Sequence, residues 1–328
     1  MQTIEPKVIE GVTLHHASEA LQPQVPIPWV VEGLLSCGSV ALLVGEGGSK
    51  KTYAMFDLAV AVATGTPWLD FPTVQTPVLF IDEESGLARF NRRLGDTLRG
   101  HLTGDADVPV WYACLSGFNF LVEPNRYFGA LQTLITGSGA KLVIIDAVVE
   151  VMLTGDENTV RDTGPVLAGL RKLADLTGCC IVVIHHANKN GGYRGSSALK
   201  GAVDLLLTIE SPQETDVVTF ASEKARDIEP VTFAARAHFE PGQFWLSKAA
   251  GGGNKTMSPT RQFVLDYLAE NGSSTLEQVQ QEGKAAYQFA ATSIRDALYE
   301  LVKLGRVERK DRGKGGEKAL YGLVDCSK

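Results

Sequence analysis

Lys51 and Thr52 end the run Gly45-Glu46-Gly47-Gly48-Ser49-Lys50-Lys51-Thr52, in which glycines lead to a cation and a hydroxyl. The backbone N–H groups of such a loop form a concave donor cluster for phosphate oxygens, reinforced by the N-terminus of a following helix. A lysine at the seventh place reaches β- and γ-phosphates, and a threonine at the eighth holds Mg²⁺ through its hydroxyl. The chemistry indicated is binding of ATP with Mg²⁺ by Gly45 to Thr52 and the adjoining Tyr53. One residue departs from the Gly-x4-Gly-Lys-Ser/Thr pattern, since Lys50 stands where the second glycine belongs. Lysine does not take a positive φ cheaply, so a small change of loop backbone is expected, with a second cation beside the phosphates. The alternative is a Gly-rich turn that binds nothing.

Hydrolysis needs more than a phosphate cradle. A carboxylate must orient the metal, another group must position water, and a third must sense the γ-phosphate. Each has a candidate where an apolar run ends, the place at which open α/β sheets bind ligands. Leu142-Val-Ile-Ile-Asp146 ends in a carboxylate suited to the Mg²⁺ shell. Val78-Leu-Phe-Ile-Asp-Glu-Glu84 ends in three acids, with Glu84 the first choice and Glu83 the second for orienting or deprotonating water. A solvated helix start is the alternative there, because acids favour helix N-termini. Ile181-Val-Val-Ile-His185-His186-Ala-Asn-Lys189 ends in two imidazoles, either of which can hydrogen-bond a γ-phosphate. Further on, Arg194 follows a Gly-rich loop, and Lys224 and Arg226 follow another apolar run. These cations suit contact with a polymer or action across a subunit boundary, and surface salt bridges are their alternative.

The elements that must position these groups alternate along the chain. Strand-like runs at Ser39–Val44, Pro77–Asp82, Val108–Ala113, Lys141–Asp146 and Cys180–His185 are separated by helical patterns, notably Lys51–Thr64, Leu87–Leu98, Tyr127–Thr136 and Val160–Thr177. This predicts an α/β domain with a mostly parallel central sheet. Val203–Glu210, Asp216–Ser222 and Val231–Phe239 are three more candidates, spaced for an antiparallel extension at one edge. Residues 1–28 read as an extended N-terminal segment, 29–248 as the α/β domain and 249–257 as a Gly-rich linker. Residues 258–328 then show three helices, at Pro259–Asn271, Ser274–Gln281 and Ala286–Leu304, and a Gly/Lys-rich hairpin. Ser258 is the expected cap of the first helix, and Ser274 with Glu277 that of the second. This order predicts a small winged helix-turn-helix.

Composition bounds the rest. No run of 18 apolar residues and no signal peptide is present, so no membrane partner is expected. Five cysteines without metal-ligand spacing suggest reduced thiols and a cytoplasmic protein. The net charge of −7 argues against a bulk nucleic-acid coat. From Lys255 onward, however, twelve basic residues outnumber ten acidic ones, and Lys303–Lys318 holds seven basic against three acidic. A basic tail on an acidic body is a mild nucleic-acid signal.

Taken in order, these residues resemble the RecA-like P-loop ATPases of the RepA-type hexameric replicative helicases, the AAA_25-like group of plasmids, phages and other mobile elements. The resemblance spans about Pro28 to Ser247 and includes Pro28-Trp29, Val31-Glu-Gly-Leu-Leu35, Glu84-Ser-Gly, Arg92-Arg-Leu94 and Arg194-Gly-Ser-Ser197 besides the motifs above. It implies Glu84 as catalytic base, Asp146 as the metal-orienting acid, His186 or His185 as γ-phosphate sensor, and Lys224 with Arg226 as a basic pair acting in trans. Arg194 would be a second finger or a DNA-loop residue. It also implies homo-oligomeric rings, usually of six subunits, with single-stranded DNA in the channel. The winged helix would add duplex contacts, through the third helix around Tyr287–Leu304 and through Arg309, Lys310, Arg312 and Lys314. Lys50, and the Ala147-Val148 pair after Asp146, depart from the group's pattern. A nucleotide-gated DNA-binding regulator that hydrolyses slowly and never unwinds is the rival expectation.

Overall fold

A computed structural model describes residues 5–22, 28–104, 107–152, 155, 159–186, 197–212, 215–249, 259–287, 291–303, 307–310 and 319–323. The chain divides into two compact units, Met1–Gly252 and Gly253–Lys328.

The first unit opens with a hairpin, β1 (Lys7–Ile9) and β2 (Val12–Leu14), then a short helix, α1 (Ala17–Ala20). Residues 5–22 are therefore not simply extended as expected, because Glu10-Gly11 both take positive φ and close a turn. A small pair, β3 (Trp29–Val31) and β4 (Leu35–Ser36), leads into the central elements. These are β5 (Val40–Gly45), α2 (Lys51–Thr64), β6 (Val78–Asp82), α3 (Leu87–Gly100), β7 (Val110–Cys114), α4 (Pro124–Ser138), β8 (Leu142–Asp146), α5 (Val160–Thr177), β9 (Cys180–His186) and α6 (Ser197–Ala202). Four strands follow: β10 (Leu205–Glu210), β11 (Val217–Ala225), β12 (Thr232–Glu240) and β13 (Gln243–Lys248).

Nine of these strands form one sheet, in the order β13-β12-β11-β10-β5-β9-β8-β6-β7. From β10 to β7 every pairing is parallel, and β10 to β13 extend the sheet antiparallel. The edge holds one strand more than expected. Pro241-Gly242 makes a tight turn, and Gln243–Lys248 alternates in burial as a half-covered strand does.

The continuous apolar run of β5 reflects burial on both faces. Val40, Leu42 and Val44 pack with Leu131, Leu170 and Val183, while Ala41 and Leu43 pack on the other face with Phe56, Val60 and Phe80. Helices thus cover both sides of a parallel sheet, as their crossover connections require. The C-terminal ends of β5, β6, β8 and β9 all lie at one edge of the parallel array.

The second unit contains α7 (Pro259–Asn271), β14 (Ser274–Thr275), α8 (Leu276–Tyr287), α9 (Ala291–Lys303), β15 (Val307–Lys310) and β16 (Leu320–Leu323). Its strands pair antiparallel in the order β14-β16-β15. Val264, Leu268, Val279, Ile294, Leu298, Leu301 and Val307 form its core. Two boundaries differ from expectation. Ser274 belongs to a strand, and the capping box falls one residue later: Thr275 Oγ1 accepts from Gln278 N at 3.3 Å, and Gln278 Oε1 accepts from Thr275 N at 2.8 Å. The second helix runs on to Tyr287, so the third begins at Ala291 and not at Ala286. Ser258, Arg312 and Lys314 lie outside the described residues.

Candidate nucleotide site

β5 delivers Gly45 to the open end of the sheet, and α2 leaves from Lys51. Gly45 is required by close approach, since a Cβ there would lie 2.5 Å from Ile209 O. Gly48 has φ 82°. Lys50 has φ 65° and ψ 22°, the left-handed conformation that a lysine is expected to avoid. A lysine in that conformation costs on the order of 1 kcal/mol relative to glycine. Its ammonium is held by Ser211 Oγ at 2.5 Å and Thr215 O at 3.2 Å.

Lys51 behaves differently. It is 5 % exposed, and its ammonium donates to Gly45 O and Glu46 O, each at 2.7 Å. Burial pushes its pKa down, opposed by Asp146, Glu84 and Glu46. Ser49 is buried beside it, with Oγ at 3.4 Å. Glu46 and Gly47 lie at the exposed tip of the loop. Thr52 Oγ1 donates to Asp146 Oδ2 at 2.7 Å, joining the loop to the end of β8. Tyr53 turns to Phe239 and Phe244, at ring separations of 5.1 and 4.7 Å, with Arg93 over its ring. Its ring therefore lies in an aromatic cluster.

Asp146 is 1 % exposed, and its carboxyl is pushed up to about 6, first by burial and then by Glu84 and Asp82, against the Thr52 hydrogen bond. The register of β6 and β8 sets Asp82 opposite Asp146. Asp82 is fully buried, and its Oδ1 accepts from Glu84 N at 2.9 Å and Ser85 N at 2.6 Å. Asp146 Oδ1 and Asp82 Oδ2 are buried without a hydrogen-bond partner. Two such oxygens beside a threonine hydroxyl are hard donors that a small divalent cation would satisfy. No cluster of three or more His, Cys, Asp or Glu able to hold a metal occurs among the described residues. Mg²⁺ takes one or two protein oxygens and completes its shell with phosphate and water, so the Asp146 and Asp82 oxygens beside the Thr52 hydroxyl suit it. The sequence reading does not single out Asp82. Its only signal there is its place at the strand end, one residue before the glutamates.

The two glutamates diverge. Glu83 is 8 % exposed, and its carboxylate accepts from Ser116 N and Gly117 N, both at 3.0 Å. It fastens the loop after β7. Glu84 faces His186, with Oε2 and Nε2 3.5 Å apart. The His186 hydrogen bond holds Glu84 below the usual carboxylate range against the effect of burial, and the same contact raises His186. His185 is the buried member of the pair, opposite Val44 in the sheet register, whereas His186 lies opposite Gly45.

Lys224 and Arg226 are not brought to this crevice. Leu205 pairs with both Ala41 and Ala225, so the end of β11 lies four residues down β5 from Gly45, about 13 Å along the strand. There Arg226 pairs with Asp204 at 2.9 Å, and Lys224 donates to Lys200 O at 2.5 Å. Arg194 lies outside the described residues.

The AAA_25 family, described as an AAA domain, matches residues 10–192. Among solved structures the chain is similar in fold to the ATPase domain of another protein, with a TM-score of 0.52 and 13 % identity over 70 % of this chain and 95 % of that one. The family match takes in the phosphate loop, both acidic strand ends and the histidine pair, and it ends before Arg194, Lys224 and Arg226. On that match, which covers more than half its length, and on a RecA-like sheet carrying a P-loop, the chain belongs to the AAA_25 family of AAA ATPase domains.

Proposed function

We propose that the chain is an oligomeric ATPase acting on DNA, a helicase or helicase-like replication protein of the RepA type found on mobile elements. The observation that carries this reading is the contact of Thr52 with Asp146 beside the Lys51 ammonium, with Glu84 and His186 across the same strand-end crevice. On this reading residues 29–248 are the ATPase domain, 249–257 a linker and 258–328 a winged helix-turn-helix, in a cytoplasmic protein. No described helix is long and apolar enough to cross a membrane.

The loop N–H groups receive the β- and γ-phosphates of ATP. Lys51 exchanges the Gly45 and Glu46 carbonyls for phosphate oxygens. Thr52 and Asp146 would hold Mg²⁺, which supplies charge neutralisation at the phosphates when bound. Glu84, kept ionised by His186, orients water in line with the γ-phosphorus and accepts its proton. The bond from the γ-phosphorus to the bridging oxygen breaks, giving ADP and phosphate. His186 then reports on the γ-phosphate through its shared contact with Glu84. Arg226 and Lys224 are too far from their own loop, so on this reading they act on the nucleotide of a neighbouring subunit in a ring of six. Single-stranded DNA occupies the channel. The second unit contacts duplex through α9, Arg309 and Lys310.

The test is ATP turnover with and without single-stranded DNA, alongside particle size with and without ATP and Mg²⁺. Strand-stimulated turnover in a nucleotide-dependent ring supports the motor. Tight ATP binding with negligible turnover would make the chain a nucleotide-gated DNA-binding regulator.

A further inference from the structure

Lys50 occupies the N-cap position of α2 in a left-handed conformation and makes no side-chain cap. A glycine would take this backbone more easily, so what the lysine adds is reach. That reach ends on the turn joining β10 to β11. Lys50 Nζ donates to Ser211 Oγ at 2.5 Å and to Thr215 O at 3.2 Å. The described flanks of the turn are joined to each other, because Ser211 Oγ donates onward to Val217 O at 2.9 Å and Thr215 N donates to Pro212 O at 3.0 Å. β10 also crowds the loop from this side, at Gly45 and Ile209. The ammonium is thus held by an element outside the phosphate loop.

We propose that Lys50 is a positioning residue that ties the β10–β11 turn to the phosphate loop, holding the loop's donor cluster in shape before nucleotide arrives. The tie makes the antiparallel edge of the sheet follow the loop. β11 begins after this turn and ends at Ala225, between Lys224 and Arg226, so one strand links a subunit's own loop to the residues assigned to its neighbour's nucleotide. This last link rests on the ATPase reading above, whereas the tie itself does not.

The experiment compares full-length wild type with K50G, K50M, S211A and the K50M/S211A double variant. Amide exchange in the β10–β11 turn, measured without nucleotide, is expected to quicken at least about tenfold in K50G and K50M. KM for ATP should rise about five- to tenfold in K50M and in S211A, more than kcat falls, and the double variant should be no worse than the worse single one. Unchanged exchange in the turn would overturn the tie, as would fully additive effects. A loss of kcat on the order of 10²-fold in K50M with S211A silent would make Lys50 a direct phosphate ligand and overturn it equally. Quickened exchange in a chain whose wild type shows no ATP turnover would uphold the tie and sink the ATPase reading instead.

Discussion

Lys50 and Lys51 are neighbours in sequence whose ammonium groups serve different partners, one the β10–β11 turn and the other the loop carbonyls. Lys51→Ala removes the cation that would meet the phosphates, so nucleotide affinity should fall on the order of 10²-fold or more by titration calorimetry. Survival of hydrolysis in that variant with a dead Lys50→Ala would mean the register of the loop is off by one. At Glu84 the prediction concerns pH. The His186 contact lowers the carboxyl pKa and raises that of the imidazole, so the charged pair exists between the two and is lost as pH falls through the first or rises through the second. His186→Asn removes the contact, and the acid limb of the kcat/KM profile should move to higher pH. A limb that stays in place would show that Glu84 is not the group titrating. The acids and imidazoles are readable in the sequence as strand-end residues. Their division of labour is not, because it depends on which backbone N–H groups and neighbours each side chain meets. Glu83 is taken up by Ser116 and Gly117, and Asp82 by its own following turn and the register with Asp146.

Secondary elements in the core follow the sequence periodicity closely, since strands buried on both faces and amphipathic helices leave strong patterns. α5 starts and stops where the pattern places it, at Val160 and Thr177. The weaker signals are short or exposed: the β1–β2 hairpin, β13, and the end of α8. One buried carboxylate joins several of these elements. Asp57, on α2, accepts from Trp68 Nε1 at 3.1 Å and Leu246 N at 2.8 Å, and meets His101 Nε2 at 2.8 Å. Asp57→Ala leaves those donors buried without a partner and should cost about 3 kcal/mol or more. Thermal unfolding should then begin roughly 5–10 °C lower, with no change in the residues that touch nucleotide. An unchanged melting curve would show that the hub contributes nothing to holding β13 on α2 and α3.

As a whole the molecule combines an acidic ATPase unit with a smaller, locally basic one. If the second unit engages DNA, deleting residues after 254 should weaken duplex affinity and flatten its dependence on salt. Unchanged affinity and slope would turn that unit into a protein-binding module. The larger claim is that the catalytic site is completed across a boundary, because Lys224 and Arg226 lie at the far end of the sheet from their own loop. Arg226→Ala alone should lower turnover on the order of 10³-fold, the scale of residues that act this way. The most direct measurement mixes Lys51→Ala chains with Arg226→Ala chains and follows phosphate release with ATP, Mg²⁺ and single-stranded DNA. Each variant alone should be nearly inactive, and the mixture should recover activity well above the sum of the two, because an intact loop then faces an intact arginine. A mixture no more active than its separate components would contradict the account.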